Sequence, residues 1–362
     1  MRAAVCRAFG APLEIEDLVL DPPERGEVAV RVVACAICHS DISLQDGAWG
    51  GILPAVYGHE ASGVVQAVGP DVESVALGDR VVVSLLRSCG RCFFCKRDEA
   101  HLCEHEFPAD RVGRLRSSEG EPVTQGLHTG AFAEAVLVDQ SQVAVVPRSL
   151  GFDVASLLGC GVVTGFGAVV DRADVPAGSN VLVIGVGGVG LNSVQAASFR
   201  DAATIIAVDV SPAKRDAALR FGATHAVDAA YDGAREEIRA LTGGRGADYV
   251  FVTVGRADAI EHGLASVRRG GTLVVVGMPP SGETFRVEAV DLAHNDVRIL
   301  GSKMGSARLD RAIRRLVELY EQGRLMLDEL ITRRYPLERI NEAVAAAREA
   351  DVLRNVIILD HQ

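Results

Sequence analysis

The sequence predicts a two-domain α/β protein in which a β-rich domain precedes a doubly wound parallel sheet. The chain has 362 residues, which is long for a single hydrophobic core. Short β-type runs fill residues 1–150, and after about residue 160 continuous apolar strands alternate with helical segments. Hydrophobic residues make up 48% of the chain and charged residues 23%, a globular rather than a disordered composition.

The first region contains short predicted strands separated by Gly, Pro and Asp. These runs are EVAVRVVACAI, GVVQAVG, DRVVVSLL and FAEAVLVD. Their alternation and the glycines between them indicate a compact β domain with long loops. Residues 105–130 are polar and show no periodicity, so we expect a loop there.

The second region has the pattern of a parallel sheet covered by helices on both faces. Its predicted strands lie in NVLVIGVGGVG, IIAVDV, ADYVFVTVG and GTLVVVGM, and its predicted helices in LNSVQAASFR, PAKRDAALRFG and REEIRALTG. A helix-rich part follows, with LDRAIRRLVELYEQGRL and LERINEAVAAAREA, and the last predicted strand is RNVIIL.

Charge and hydropathy restrict the partners and the location. The net charge of −11 favours solubility and argues against nucleic acid or an anionic membrane as a partner. No apolar run is long enough to span a bilayer. The first residues, MRAAVCRAFGAP, lack the apolar region of a signal peptide. We therefore expect a cytoplasmic protein.

Four cysteines, spaced C-x2-C-x2-C-x7-C, form the most conspicuous motif. They are Cys89, Cys92, Cys95 and Cys103. A disulfide framework is the first alternative, but it suits a shorter secreted chain. A redox pair is the second, but it needs only two of the four. Four thiolates instead complete a tetrahedral zinc site with no open position, so we predict a structural zinc.

A glycine-rich fingerprint follows the strand VLVI. Gly185, Gly187 and Gly190 form G-x-G-x-x-G, and Asp209 lies 19 residues later at the end of IIAVD. The glycines allow a tight turn, the approach of a pyrophosphate and close helix packing, and the Asp209 carboxylate favours NAD over NADP. A glycine turn in a non-binding domain is the alternative. Lys214 either contacts the ribose or is a solvated helix residue.

A second set of metal-type residues is scattered along the chain. It consists of Cys38, His39, Ser40 and Asp41 in CHSD, His59 and Glu60 in GHE, and Cys160 in GCG. Two thiolates and one imidazole would make a three-ligand zinc site with an open fourth position, as in catalytic zinc centres. Spacing alone does not bring them together, and each of the three also fits an ordinary core position.

Together these motifs resemble the zinc-dependent medium-chain dehydrogenase/reductase family, in its class III-like alcohol dehydrogenase branch. The resemblance runs nearly end to end, through CHSD, GHE, the four cysteines, GCGVVTG, GVGGVG and VGMPP. It implies a GroES-like catalytic domain over residues 1–161 with a zinc lobe at 86–104. It further implies a Rossmann NAD-binding domain at 162–300, with the active site in the cleft between the domains. Residues 301–362 are then expected to return to the catalytic domain.

The resemblance also implies a role for each matching residue. Cys38, His59 and Cys160 correspond to the ligands of the catalytic zinc, and the four-cysteine motif to those of the structural zinc. Glu60 and Asp41 correspond to residues that support the ligands, with Arg354 as their partner. Arg354 is also grouped with the cofactor residues. The other implied cofactor contacts are His39 at the pyrophosphate, Gly188 within the fingerprint, and Thr164, Val189 and Val276 at the nicotinamide. Trp49 and Leu85 correspond to walls of the substrate pocket.

The implied reaction is hydride transfer between a primary or aromatic alcohol and NAD, with Ser40 accepting the alcohol proton. One position departs from the family pattern, since Ser43 stands where many members carry a proton-relay histidine. A dehydrogenase of S-(hydroxymethyl) thiol adducts and a non-catalytic relative are the alternative functions. The family also implies a homo-oligomer, a dimer or a tetramer.

Overall fold

The structure, a computed structural model, describes residues 1–359 and divides the chain into two compact units. The first unit combines the chain up to Gly161 with the chain from Arg308 onward. The second unit comprises Val162–Ala307. The two ends of the chain therefore fold together, and the second unit is inserted between them.

Residues 301–307 belong to the second unit, whereas the sequence places them in the returning segment. A close backbone contact joins them to that unit. A Cβ on Gly305 would lie 2.8 Å from the Cα of Gly167, so only glycine allows the two segments to approach this closely. The returning segment therefore starts at Arg308.

The amino-terminal part of the first unit is mainly β structure. Its elements are β1 (Arg2–Cys6), β2 (Glu14–Leu20), β3 (Glu27–Ala36), α1 (His39–Gln45), β4 (Ala55–Val56), β5 (Glu60–Val68), β6 (Arg80–Val83), β7 (Leu115–Ser117), β8 (Thr124–Gln125), β9 (Ala135–Asp139), β10 (Val143–Val145) and α2 (Phe152–Leu157).

The second unit alternates strands and helices. Its elements are α3 (Gly161–Gly167), β11 (Asn180–Ile184), α4 (Gly188–Phe199), β12 (Thr204–Asp209), α5 (Pro212–Arg220), β13 (His225–Asp228), α6 (Ala234–Leu241), β14 (Ala247–Val252), α7 (Ala257–Leu264), β15 (Val267–Val275), α8 (Ala289–His294) and β16 (Arg298–Gly301). The returning segment adds α9 (Leu309–Glu321), β17 (Ile331–Pro336), α10 (Ile340–Ala347) and β18 (Arg354–Ile358) to the first unit.

Two sheets form the first unit. The smaller has the order β7-β2-β1-β4-β8, and the larger has the order β10-β6-β5-β3-β18-β17, with β9 also paired to β3. Strand β18 runs antiparallel to β3 and places Val356 opposite Ala36, while Ala36 lies opposite Glu60 on β5. The returning strand thus brings Arg354, its first residue, towards the start of β5.

The second unit contains one six-stranded parallel sheet, which confirms the fold class predicted for this region. Its order is β13-β12-β11-β14-β15-β16, so the chain reverses direction across the sheet at β11. Its strands bury apolar side chains such as Leu182, Ile206 and Leu273. Ligands of such sheets bind at the carboxyl ends of the strands beside this reversal, where α4 begins.

The segment 105–130 is not entirely a loop. It contains β7, which pairs with β2, and β8, which pairs with β4, together with single helical turns. Strands of two or three residues are too short to show a period in the sequence. They form because the neighbouring strands offer free edges for hydrogen bonding.

Candidate metal and cofactor sites

The four-cysteine lobe brings its sulfur atoms together locally. The Sγ atoms of Cys89, Cys92, Cys95 and Cys103 all lie within 4.8 Å of one another. The amides of Cys92 and Cys89 donate to the sulfurs of Cys89 and Cys103 at 3.3 and 3.4 Å. Backbone amides of Cys95 and Glu104 lower the pKa of Cys92 to about 6. Amide donors that favour thiolate, and four soft ligands, fit a structural zinc.

The second donor group joins three distant parts of the first unit. The donor atoms of Cys38, His59, Glu60 and Cys160 lie within 4.8 Å of one another, and all four residues are buried. Cys38 precedes α1, His59 precedes β5, Glu60 opens β5, and Cys160 follows α2. A hydrogen bond between the thiols lowers the pKa of Cys38 and raises that of Cys160.

Asp41 fixes the orientation of the His59 ring. Its Oδ1 lies 2.9 Å from His59 Nδ1 and also accepts from the amide of Gly58 at 2.9 Å. Its Oδ2 accepts from the amide of Cys38 at 3.0 Å. Burial alone would lower the pKa of His59, but Asp41 and Cys38 raise it overall.

The other ring nitrogen of His59 shows that the group fits a metal. His59 Nε2 is buried and has no hydrogen-bond partner among the described residues. A buried imidazole nitrogen without a partner is costly unless something binds it. Because Nδ1 faces a carboxylate, Nε2 presents its lone pair beside two cysteines, which is the ligand set and supporting contact of a catalytic zinc site.

Glu60 forms a buried ion pair with Arg354. Both side chains are almost fully enclosed, and Arg354 reaches Glu60 because β18 pairs with β3. Burial raises the pKa of Glu60, and the charge of Arg354 opposes that rise. The pair thus balances the charge of the one carboxylate in the metal-donor group.

The sequence reasoning missed Gly159 and Ser84, which position Cys160. A Cβ on Gly159 would lie 2.6 Å from the carbonyl oxygen of Val83, so the chain before Cys160 packs directly on β6. The Ser84 hydroxyl donates to the carbonyl oxygen of Gly159 at 2.6 Å. The flanking glycines in GCG were the available signal, since they mark a close backbone approach.

The glycine fingerprint has the geometry of a pyrophosphate cradle. Gly185 adopts a φ of +84°, which permits the tight turn after β11. A Cβ on Gly190 would lie 2.0 Å from the carbonyl oxygen of Gly185, so α4 and the strand require glycine there. A Cβ on Gly187 would meet no atom within 4 Å, which leaves space at the amino end of α4.

Asp209 lies at the end of β12 and contacts the fingerprint loop. Its Oδ2 accepts from the amide of Val186 and its Oδ1 from the amide of Ser211, both at 2.9 Å. A carboxylate has further lone pairs available for a ribose. Lys214 lies in the first turn of α5, where its amide donates to the Ser211 hydroxyl at 3.3 Å.

The residues expected at the nicotinamide lie on separate elements of the second unit. A Cβ on Gly165 would lie 2.1 Å from the carbonyl oxygen of Val189, so glycine is needed for α3, which carries Thr164, to pack against α4. Gly165 was not identified from the sequence. The Thr164 hydroxyl lies 3.4 Å from the sulfur of Met304. Val276 follows β15, and its amide donates to Val252 at 2.9 Å.

The remaining expected residues lie in the first unit. His39 and Ser40 form the first turn of α1, and Ser43 lies one turn later. Trp49 follows this helix and Leu85 follows β6, and both are half-buried.

Removing Arg354 should leave the Glu60 carboxylate buried without a partner. We expect Arg354→Met to lower the free energy of unfolding by about 3–5 kcal/mol. Combining it with Glu60→Met removes both charges and should restore much of the loss. Urea unfolding of zinc-loaded protein measures both variants, and a double variant as unstable as the single one would contradict the role of the ion pair.

Zinc content separates the two donor groups. We expect two zinc ions per chain in the unchanged protein and one in either Cys92→Ser or Cys160→Ser, because each loses a soft ligand from one group. Cys6→Ser is the control, since Cys6 is buried outside both groups. Mass spectrometry of the native protein counts the metal. A full zinc complement in the Cys160 variant would contradict the assignment.

Known proteins share both halves of this architecture. The family model described as "Alcohol dehydrogenase GroES-like domain" matches residues 24–148, and "Zinc-binding dehydrogenase" matches 188–321. Putative alcohol dehydrogenase D of Mycobacterium tuberculosis is 38% identical over 98% of this chain and 99% of its own length. The S-(hydroxymethyl)glutathione dehydrogenase of Saccharomyces cerevisiae is 33% identical, covering 99% of this chain and 96% of its own length.

A solved structure agrees with the sequence relatives. Benzyl alcohol dehydrogenase from Acinetobacter calcoaceticus superposes with a TM-score of 0.92 at 31% identity, covering 99% of both chains. The resemblance drawn from the motifs is therefore confirmed over nearly the whole chain. The chain belongs to the zinc-dependent medium-chain dehydrogenase/reductase family, in its alcohol dehydrogenase branch.

Proposed function

We propose that the protein reversibly transfers a hydride between a primary or aromatic alcohol and NAD, giving an aldehyde. The observation that carries this proposal is the buried group of Cys38, His59 and Cys160, in which His59 Nε2 has no partner among the described residues. Three ligands with an open position distinguish a catalytic zinc from a structural one.

The proposed roles in the first unit follow from the contacts. Cys38, His59 and Cys160 hold the catalytic zinc, which when bound supplies a Lewis acid that makes a nearby hydroxyl more acidic. Asp41 orients His59. Ser40, in the first turn of α1, accepts the substrate proton. The proton then passes to solvent without the relay histidine of many family members, because Ser43 stands at that position. The pocket walls are formed by Trp49 and Leu85.

The proposed roles in the second unit concern the cofactor. NAD supplies the hydride acceptor, and the loop with Gly185, Gly187, Gly188 and Gly190 binds its pyrophosphate through backbone amides. Asp209 and Lys214 then hold the adenosine ribose. The residues proposed to line the nicotinamide are Thr164, Val189 and Val276.

Activity assays with the zinc-loaded protein test the proposal. We expect NAD-dependent oxidation of benzyl alcohol and short primary alcohols, and loss of that activity in Cys160→Ser. The S-(hydroxymethyl)glutathione adduct is the second candidate substrate, because a relative carries that name. Preference for that adduct would favour the thiol-adduct function. No oxidation of any of these substrates would favour a non-catalytic relative.

The Asp209 carboxylate should determine the preference for NAD. We expect Asp209→Asn to lower the ratio of kcat/KM with NAD to that with NADP by about tenfold or more, because the repulsion of a 2′-phosphate is removed. Asp216→Asn, an exposed aspartate on the same helix as Lys214, is the control. Initial rates with both cofactors give the ratio, and an unchanged ratio would refute the assignment.

We also propose a homo-oligomer in the cytoplasm. Strand β16 is an edge of its sheet, and Met278, Val287 and Val290 in the preceding segment are exposed, which suits contact with a second copy. Cysteines grouped as metal donors suit a reducing compartment. Within residues 1–359, no helix is both long and apolar enough to cross a bilayer. Light scattering of the purified protein measures the assembly.

A further inference from the structure

A further group of side chains lies in the first unit and is connected by hydrogen bonds to the chain that carries Cys160. Arg87 Nη1 donates to Asp110 Oδ1 at 2.6 Å, and its Nη2 lies 3.5 Å from His128 Nε2. The guanidinium also stacks on Phe107, 4.6 Å from the ring centroid. We call Arg87, Phe107, Asp110 and His128 the Arg87 cluster. The proposed reaction uses none of these four residues.

Asp110 is the centre of the Arg87 cluster. Its Oδ1 also lies 3.0 Å from His128 Nδ1, and its Oδ2 accepts from the Phe107 amide at 3.0 Å. His128 therefore contacts Asp110 through Nδ1 and faces Arg87 with Nε2. Burial alone would raise the pKa of Asp110, but Arg87, the Phe107 amide and His128 lower it overall. Arg87 and Asp110 therefore form an ion pair at the centre of the cluster.

Hydrogen bonds connect the Arg87 cluster to the chain that carries Cys160. Ser84 donates to the carbonyl oxygen of Gly159, the residue before Cys160. The buried Gln142 amide donates to the carbonyl oxygens of Ser84 and His128, at 2.9 and 3.1 Å. Three residues of chain span at most about 10 Å, so Arg87 lies within that distance of Ser84. Leu85, the proposed pocket wall, lies between them in sequence.

The backbone at His128 is held in an unfavourable conformation. Leu127 and His128 have φ values of +51° and +58°, in the left-handed region that non-glycine residues seldom occupy. The Thr129 hydroxyl donates to the carbonyl oxygen of Leu127 at 2.9 Å, and Gln142 holds that of His128. These contacts fix His128 in a position from which it meets both Asp110 and Arg87.

We propose that Asp110 determines substrate class by neutralising Arg87, so that the site takes neutral alcohols and disfavours alcohols that carry a carboxylate. Without Asp110, Nη1 of Arg87 would lose its carboxylate partner and could bind a carboxylate of the substrate. With Asp110 in place, both nitrogens are engaged and a second carboxylate meets a like charge. The inference rests on the proposed function and specifies the substrates of the same site.

Two substrates that differ mainly in charge test the inference on the zinc-loaded protein with NAD. They are 4-(hydroxymethyl)benzoate and 4-methylbenzyl alcohol, and the measured quantity is the kcat/KM of the first divided by that of the second. We expect Asp110→Asn to raise this ratio about tenfold or more, since a like charge is removed and Arg87 is released. We expect Arg87→Met alone to lower it, because the negative charge of Asp110 then remains without the balancing guanidinium.

Control variants separate charge from structure. Combining Arg87→Met with Asp110→Asn should return the ratio close to that of the unchanged protein. Asp21→Asn is the matched control, since Asp21 is 29% exposed, against 28% for Asp110, and also pairs with an arginine, Arg116. It should leave the ratio unchanged, because Asp21 lies beside the smaller sheet. Thermal unfolding shows whether each variant is folded, and Arg87→Met still tests the inference if Asp110→Asn is not.

The outcomes distinguish this inference from the proposed function. If the unchanged protein oxidises 4-methylbenzyl alcohol but neither single variant shifts the ratio, Asp110 does not determine substrate class and the proposed function stands. A raised ratio that persists in the double variant overturns the inference in the same way. If the unchanged protein oxidises no alcohol of the wider panel, the proposed function fails and the inference fails with it.

Discussion

The buried ion pair between Glu60 and Arg354 is the interaction on which the metal-donor group depends. Two charges removed from water are tolerated only because each is the partner of the other. Arg354 reaches Glu60 through the pairing of β18 with β3, so the site is complete only when the returning segment has joined the larger sheet. Assembly of the donor group is thereby coupled to the union of both chain ends in one unit.

The sequence predicts local features well because their geometry depends on neighbours in the chain. The four cysteines of the zinc lobe lie within fifteen residues, and the fingerprint glycines meet their own helix and strand. Cys38, His59 and Cys160 are different, because only the pairing of distant strands brings them together. Their spacing carries no information about that contact, which is why the resemblance to a family, and not the residues alone, identified them.

Other features escape the sequence because they depend on contacts that a pattern does not express. Strands β7 and β8 exist because β2 and β4 offer edges to them. Gly159 and Gly165 are required because a Cβ at either position would clash with the carbonyl oxygen of a residue distant in sequence. The Arg87 cluster combines three separate loop segments, each of which is unremarkable by itself. Such positions become functional only when the sheets place them side by side.

The charges around the donor group explain why it should bind a divalent cation. Arg354 is already paired with Glu60, and its charge also favours the thiolate forms of Cys38 and Cys160 by lowering their pKa values. A hydrogen bond between the two thiols lowers the pKa of Cys38 and raises that of Cys160. A divalent cation balances both thiolates and also binds His59 Nε2.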